Sequence, residues 1–90
     1  MRILTDTEIA ERMVDKILSL KTGEYFSTEI LLKQIPITVD ELLPVGDLSG
    51  IHNLLMQKIN GPSVEDPIIE EIADNRNRYI LPYKRQYKRL

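Results

Sequence analysis

The stretch DLSGIHNLLMQKINGP, residues 47–62, decides the fold. Asp47 is a residue type that caps helix N-termini, and Gly61-Pro62 is a strong stop signal, so the stretch predicts a helix over 48–60. Apolar residues recur at the helical period on one side of it: Leu48, Ile51, Leu54, Leu55 and Ile59. The opposite side carries amides and a hydroxyl rather than Glu and Lys: Ser49, Asn53, Gln57 and Asn60.

After this helix the hydrophobic period changes from helical to extended. Two β-type runs, 67–73 and 78–83, flank an Asx-rich turn and predict a β-hairpin over 67–83. The expected cross-strand pairs are Ala73 with Arg78, Ile72 with Tyr79, Glu70 with Leu81 and Ile68 with Tyr83. Because Pro82 lacks the N–H that a ladder needs, the second strand should be an edge strand or end there.

The preceding residues predict two further helices. Thr5-Asp6-Thr7-Glu8 fits a capping box, so a helix should begin there and run over about 6–21, where Gly23 would stop it. Glu24-Tyr25-Phe26 favours a short strand, and Ser27 is a good N-cap for a helix that runs to about Gln34. Thr38-Val39-Asp40-Glu41 repeats the capping-box pattern and predicts one helical turn over 39–43.

Side-chain periodicity also predicts how these elements pack. Phe26 and Leu31 have the spacing of a hydrophobic staple, which fixes the angle at which the chain enters a helix. The predicted core consists of Met13, Ile17, Leu31, Leu54, Leu55 and Ile72. Together the elements predict an α+β fold with three main helices and a C-terminal β-hairpin.

Composition narrows the function classes. Residues 1–90 are 42% hydrophobic and 29% charged, which is the composition of one small globular domain. The absence of cysteine and the presence of a single histidine exclude disulfide frameworks, thiolate metal sites and the usual histidine-based catalytic sites. No glycine-rich phosphate loop or calcium-loop spacing is present. We therefore expect no enzyme activity, no cofactor and no metal.

The chain shows no sign of membrane association. No apolar run approaches the roughly 20 residues that a membrane-spanning helix needs, and residues 1–6 contain no apolar signal-peptide segment. These features predict a cytoplasmic protein.

Charge is distributed very unevenly along the chain. Residues 1–75 hold all 14 acids and six bases, whereas residues 76–90 hold six bases and no acid. This asymmetry predicts that residues 84–90 form a basic tail that binds a polyanion such as nucleic acid. The alternative is a solvated tail that keeps an acidic domain soluble.

The order of elements carries a resemblance to a known family. Residues 27–32 look like the start of a second helix, residues 47–55 like a recognition helix and residues 68–83 like a wing. Over roughly residues 5–84, this order resembles the winged helix-turn-helix superfamily, and it is also similar to short bacterial and phage proteins. The segment 35–46 is longer than the turn of a simple helix-turn-helix, so either it holds an inserted helical turn or 39–43 is itself the second helix.

The resemblance implies which residues would contact double-stranded DNA. Asn and Gln can bond the N6 and N7 atoms of adenine in the major groove, and Lys neutralises phosphate. The implied recognition-helix residues are Ser49, Asn53, Gln57 and Lys58. Implied phosphate and minor-groove contacts are Arg76 and Arg78 on the wing, with Lys84, Arg85, Lys88 and Arg89 beyond it. The alternative for Asn53 and Gln57 is an ordinary solvated helix face, and His52 is expected to be a surface or boundary residue.

Two functions follow from these observations. The leading one is a DNA-binding winged-helix protein with a role in transcription regulation. The alternative is a non-catalytic protein-interaction module of the same fold, which would bind a protein partner or a second copy through its acidic first helix or an edge strand. Convergence of Lys58, Arg76, Arg78 and Lys84 on one face would favour DNA.

Overall fold

The computed structural model describes residues 1–61, 65–72 and 80–90. Its α-helices are α1 (Asp6–Ser19), α2 (Thr28–Gln34) and α3 (Ser49–Asn60). The strands are β1 (Arg2–Ile3), β2 (Tyr25–Phe26), β3 (Glu41–Leu42), β4 (Ile69–Glu71) and β5 (Tyr87–Arg89), and Pro82–Lys84 form a 3-10 turn. The α+β fold class with three helices and an antiparallel strand pair is confirmed, and its element order is consistent with a small winged-helix-like fold.

The predicted N-terminal caps of the first two helices are confirmed. At α1, the Glu8 N–H donates to the Thr5 hydroxyl at 3.2 Å while the Glu8 carboxylate accepts from the Thr5 N–H at 3.2 Å. At α2, the Ser27 hydroxyl accepts from the Ile30 N–H at 3.1 Å. Local side-chain chemistry therefore sets both helix starts, as expected for caps that satisfy otherwise unpaired donors.

The end of α1 and the start of α3 differ slightly from prediction. Helix α1 ends at Ser19 rather than near residue 21, and Gly23 adopts a positive φ of 91° in the turn that follows rather than at the helix terminus. At α3 the N-cap position is Leu48 rather than Asp47. The Asp47 carboxylate, one residue before the N-cap, accepts from the Ser49 N–H at 2.9 Å. Both differences are within one turn of the predicted bounds.

The three-stranded sheet has the order β2-β5-β4, with β5 antiparallel to both neighbours. Glu70 faces Lys88 in this sheet, so the predicted pair of Glu70 with Leu81 is wrong. The pair of Ile68 with Tyr83 is also wrong, because Tyr83 lies in the 3-10 turn and the Leu90 N–H donates to the Ile68 carbonyl at 2.9 Å. The pairs that involve Ala73, Arg78 and Tyr79 lie outside the described residues.

Strand β5 also corrects the prediction that residues 84–90 form a tail. Pro82 occupies the first position of the 3-10 turn, where its fixed φ and missing N–H are tolerated, whereas it would interrupt a ladder. The strand begins only at Tyr87, whose ring stacks on Phe26 of β2 with centroids 5.8 Å apart. Residues 87–89 thus form the central strand of the sheet.

The prediction of a helical turn over 39–43 is wrong as well. Val39 and Asp40 form a single tight turn, closed by the Glu41 N–H that donates to the Thr38 carbonyl at 3.1 Å, and the chain then continues as β3, which pairs in parallel with β1 with Arg2 opposite Glu41. The Arg2 N–H donates to the Asp40 carbonyl at 2.8 Å, and the Leu4 N–H donates to the Leu42 carbonyl at 2.8 Å. The inter-strand bonds engage the Asp40 and Leu42 carbonyls, so the turn at 38–41 does not continue as a helix.

A cluster of charged groups holds β3 against α1. The Glu41 carboxylate accepts from Arg2 Nη2 at 2.9 Å, from Arg12 Nη1 at 2.9 Å and from the Thr38 N–H at 3.0 Å. Arg12 also donates to the Pro36 carbonyl at 2.9 Å. The hydrogen bonds from Arg12 and then from Thr38 lower the pKa of Glu41 to about 2. The segment 35–46, which is longer than the turn of a simple helix-turn-helix, is therefore bound to α1 by the ion pair and hydrogen bonds of Arg12.

Replacing Glu41 by Gln should reduce the acid sensitivity of the fold. A carboxylate with a lowered pKa stabilises the folded state above its unfolded pKa of about 4.3, and this stabilisation is lost as pH falls toward 2. Urea titrations at pH 7, 4 and 2.5 should show a smaller fall of the unfolding midpoint in Glu41→Gln than in the wild type. Glu29→Gln is the matched control, since Glu29 lies outside the cluster, and equal falls in all three proteins would contradict the assignment.

The core lies where the three helices meet the sheet. Four predicted core residues, Met13, Ile17, Leu31 and Leu55, are buried, and Phe26 joins Leu31 in the core as the staple requires. Leu54 is partly buried and packs against this core, whereas Ile72 is 36% exposed and was wrongly placed. In the described part of the chain, the other buried apolar residues are Leu4, Ile9, Ala10, Ile35, Ile51, Ile59, Ile69 and Tyr87.

Candidate nucleic-acid interface

Helix α3 has one buried and one solvent-exposed side. Ile51, Leu55 and Ile59 are buried, and the packing is mainly against α1. Of the predicted contact residues, Asn53 and Gln57 are exposed. The structure therefore places these two amides where a ligand in solvent can reach them.

The exposed side of α3 also lacks negative charge. None of its twelve residues is acidic, whereas α1 carries four acids: Asp6, Glu8, Glu11 and Asp15. In a chain with 14 acids, an acid-free exposed helix is a local departure from the overall composition. A polyanion would meet less repulsion here than along α1.

The first turn of α3 is less suited to an anion than the later turns. Asp47 Oδ1 accepts from the Ser49 hydroxyl at 2.8 Å and from the Ser49 N–H at 2.9 Å. The bond from the hydroxyl, and then the bond from the N–H, lower the pKa of Asp47. A second carboxylate is close, since a Cβ at Gly50 would lie 3.2 Å from Asp6 Oδ2. Ser49 is therefore engaged within the chain, and Asn53 and Gln57 are better placed to contact bases.

The predicted basic residues do not all behave alike. Lys58 Nζ lies 3.8 Å from the Glu11 carboxylate of α1, and Arg85 Nη1 lies 3.6 Å from the Glu71 carboxylate. Both pairs are partly exposed and longer than a hydrogen bond, so they are weak and exchange readily with other charges. Lys84 is exposed on the 3-10 turn, which packs against α2 and α3. Arg76 and Arg78 lie outside the described residues, as does their convergence with Lys58 and Lys84.

Arg89 has a structural role rather than the predicted phosphate contact. Its Nε donates to the Ile17 carbonyl at the end of α1 at 3.2 Å, and its Nη1 donates to the Ile68 and Leu90 carbonyls at 3.2 and 2.7 Å. A cation near a helix C-terminus also interacts favourably with the helix dipole. Lys88, on the same strand, is only partly exposed. Of the four bases over residues 84–89, Lys88 and Arg89 thus belong to the sheet, whereas Lys84 and Arg85 are exposed outside it.

His52 was wrongly predicted to lie at the surface or boundary. It is 5% exposed, and its Nδ1 lies 2.8 Å from the hydroxyl of Thr28 on α2. Its ring centroid is 6.1 Å from that of Tyr87, at an interplanar angle of 37°. Helical periodicity leaves position 52 on the margin of the apolar face, and its burial follows from Thr28 of α2 and Tyr87 of β5, which lie beside it.

Other sites are sparse in the described parts of the chain. A surface groove of about 440 Å³ lies between α1 and α3 and is lined by Glu11, Val14, Asp15 and Lys58. Across residues 1–61, 65–72 and 80–90, no three metal-ligating side chains come together. Within the same ranges, none of the helices has the length and apolar character needed to cross a bilayer.

Comparison with known proteins gives no further guidance. No protein-family model, curated protein or solved structure matches this chain.

Proposed function

We propose that the chain is a non-catalytic protein that binds double-stranded DNA, with α3 as its recognition helix. The observation that carries the proposal is the exposed, acid-free side of α3, on which Asn53 and Gln57 lie one helical turn apart. Specific duplex binding by a winged helix would serve the regulation of transcription. The proposal includes membership of the winged helix-turn-helix superfamily.

The side chains on α3 indicate the kind of base contact. Asn and Gln form paired hydrogen bonds with N6 and N7 of adenine, whereas α3 has no Arg to bond guanine in the same way. The preferred sites should therefore contain adenine at the contacted positions. Lys58 and Lys84 are the described bases that would neutralise phosphate.

The strength of charge pairing supports binding on the α3 side, because the pairs of Lys58 with Glu11 and of Arg85 with Glu71 are longer and more exposed than those of Arg2 and Arg12 with Glu41. Arg2 on β1 and Arg12 on α1 are held by Glu8 and Glu41. The two bases are thus compensated within the chain, and a phosphate there would have to displace a carboxylate. The acids of α1 further disfavour DNA along that helix.

Selection from a random duplex pool tests the proposal, followed by Asn53→Ala. The wild type should enrich adenine-containing sites at low salt, and Asn53→Ala should lose ~1–3 kcal/mol of discrimination at particular base pairs. Gln34→Ala is the matched control, because Gln34 is an exposed amide on α2. Fluorescence anisotropy on the selected site and its single-base variants measures both, after circular dichroism has confirmed folding.

Lys84→Gln separates phosphate binding from base recognition. It should weaken binding to all sequences nearly alike and lower the salt slope by up to ~0.9 if Lys84 contacts one phosphate. Lys21→Gln is the control, since Lys21 is an exposed lysine in the turn between α1 and β2. A folded wild type that enriches no sequence and binds no duplex at low salt would overturn the proposal.

One observation favours the alternative of a protein-interaction module. Ile3 and Leu42 lie in register on β1 and β3, and both are exposed. Val39 and Val45 nearby in the chain are almost fully exposed too. Neighbouring exposed apolar side chains are typical of surfaces that bind proteins. Failure of the DNA selection would make this alternative the better account.

A further inference from the structure

Helix α3 meets α2 and the sheet at the only histidine of the chain. His52 is 5% exposed, and Thr28, whose hydroxyl lies 2.8 Å from its Nδ1, is 0% exposed. Tyr87 of β5 closes the site from the sheet side. A titratable ring is therefore enclosed at the junction of these three elements.

The groups that face His52 offer little to compensate a positive charge. Helix α2 contributes the neutral Thr28 hydroxyl, and β5 contributes Tyr87, whose phenol is neutral in acid. Among the described residues, the charges that act on His52 are Arg85 and Glu71, which lie 3.6 Å apart as a partly exposed pair. Burial first, and then Arg85, lower the pKa of His52, while Glu71 opposes them.

We propose that protonation of His52 weakens the packing of α3 against α2, so that mild acid favours a state in which α3 is detached from α2. The unfolded chain binds the proton at an ordinary pKa of about 6.5, whereas the buried ring binds it only at lower pH. The unfolded or opened state is then favoured as pH falls below about 6.5. Carboxylates titrate mainly below pH 5, so the response between pH 7 and 5 reports on His52.

The inference does not depend on DNA binding, and its test uses the free protein. The single histidine gives one ring signal in a proton NMR titration of the full chain, and its midpoint should lie below 6.5. Hydrogen exchange of the Leu55 and Ile59 amides, corrected for intrinsic rates, should show less protection at pH 5 than at pH 7. The loss can reach about tenfold for each pH unit between the folded and unfolded pKa values.

His52→Asn is the variant that isolates the charge. The Asn carbonyl can take the place of Nδ1 and accept from the Thr28 hydroxyl, but it cannot be protonated in this range. Its amide protection in α3 should be the same at pH 5 and pH 7. A histidine signal that titrates at or above 6.5, equal wild-type protection at both pH values, or an unchanged pH response in His52→Asn would each overturn the proposal. The wild-type titration decides the matter even if the variant does not fold.

Discussion

Deleting residues 87–90 should abolish cooperative folding, although these residues look like part of a basic tail in the sequence. The deletion removes β5, which pairs with both β2 and β4. It also removes Tyr87, which is 4% exposed and stacks on Phe26, and the Arg89 side chain that bonds the end of α1. Circular dichroism and a thermal melt of the shortened chain would show a broad transition or none.

The expected size of this effect follows from the small stability of such a domain. A 90-residue domain is stabilised by only about 5–13 kcal/mol, and truncating one buried aromatic side chain costs ~3–5 kcal/mol. Loss of the backbone bonds on both sides of β5 adds to that cost. Removing Leu90 alone is the control, since it deletes one backbone donor, one of the carbonyls that accept from Arg89 and a half-exposed side chain, but leaves β5 in place. A deletion mutant that melts as sharply as the wild type would show that β5 is dispensable.

The helix starts were predictable because they depend on neighbouring residues. Thr5 and Ser27 cap α1 and α2 through bonds to N–H groups only three residues away. The same capping-box pattern at 38–41 predicted a helix start wrongly, because Glu41 also binds residues that are distant in the sequence. Glu41 keeps its bond to the Thr38 N–H, but Arg2 and Arg12 also bind its carboxylate, and after one turn the chain enters β3 instead of a helix.

The strand pairing was harder to predict because it depends on contacts far apart in the chain. Residues 78–83 are the expected partner of β4 because they are the nearest β-type run after the Asx-rich turn. The structure instead uses Tyr87, whose ring is covered by Phe26 about sixty positions earlier. The four bases among residues 84–90 make this segment resemble a solvated tail. Tyr87 is the one buried aromatic residue of β5, so the segment shows no hydrophobic alternation that would predict a strand.

The candidate site was predictable in its exposed part and not in its buried part. The helical period of α3 correctly indicated that Asn53 and Gln57 face away from the core. It did not indicate that Asp47 holds Ser49, or that Thr28 meets His52, since both follow from side-chain positions rather than from periodicity. Residues on the margin of an apolar face are buried or exposed according to the element packed beside them.

Leu55→Ala should destabilise the protein by ~2–5 kcal/mol, the cost of a cavity at a fully buried leucine. Leu55 is 0% exposed and belongs to the side of α3 that packs on α1, so its truncation leaves a cavity inside the core. Chemical denaturation at pH 7 measures the loss. Gln57→Ala on the exposed side of the same helix is the matched control and should change stability by less than ~0.5 kcal/mol. A loss below ~1 kcal/mol for Leu55→Ala, or equal losses in both variants, would mean that α3 turns a different side to the core and that Asn53 and Gln57 are not free to contact DNA.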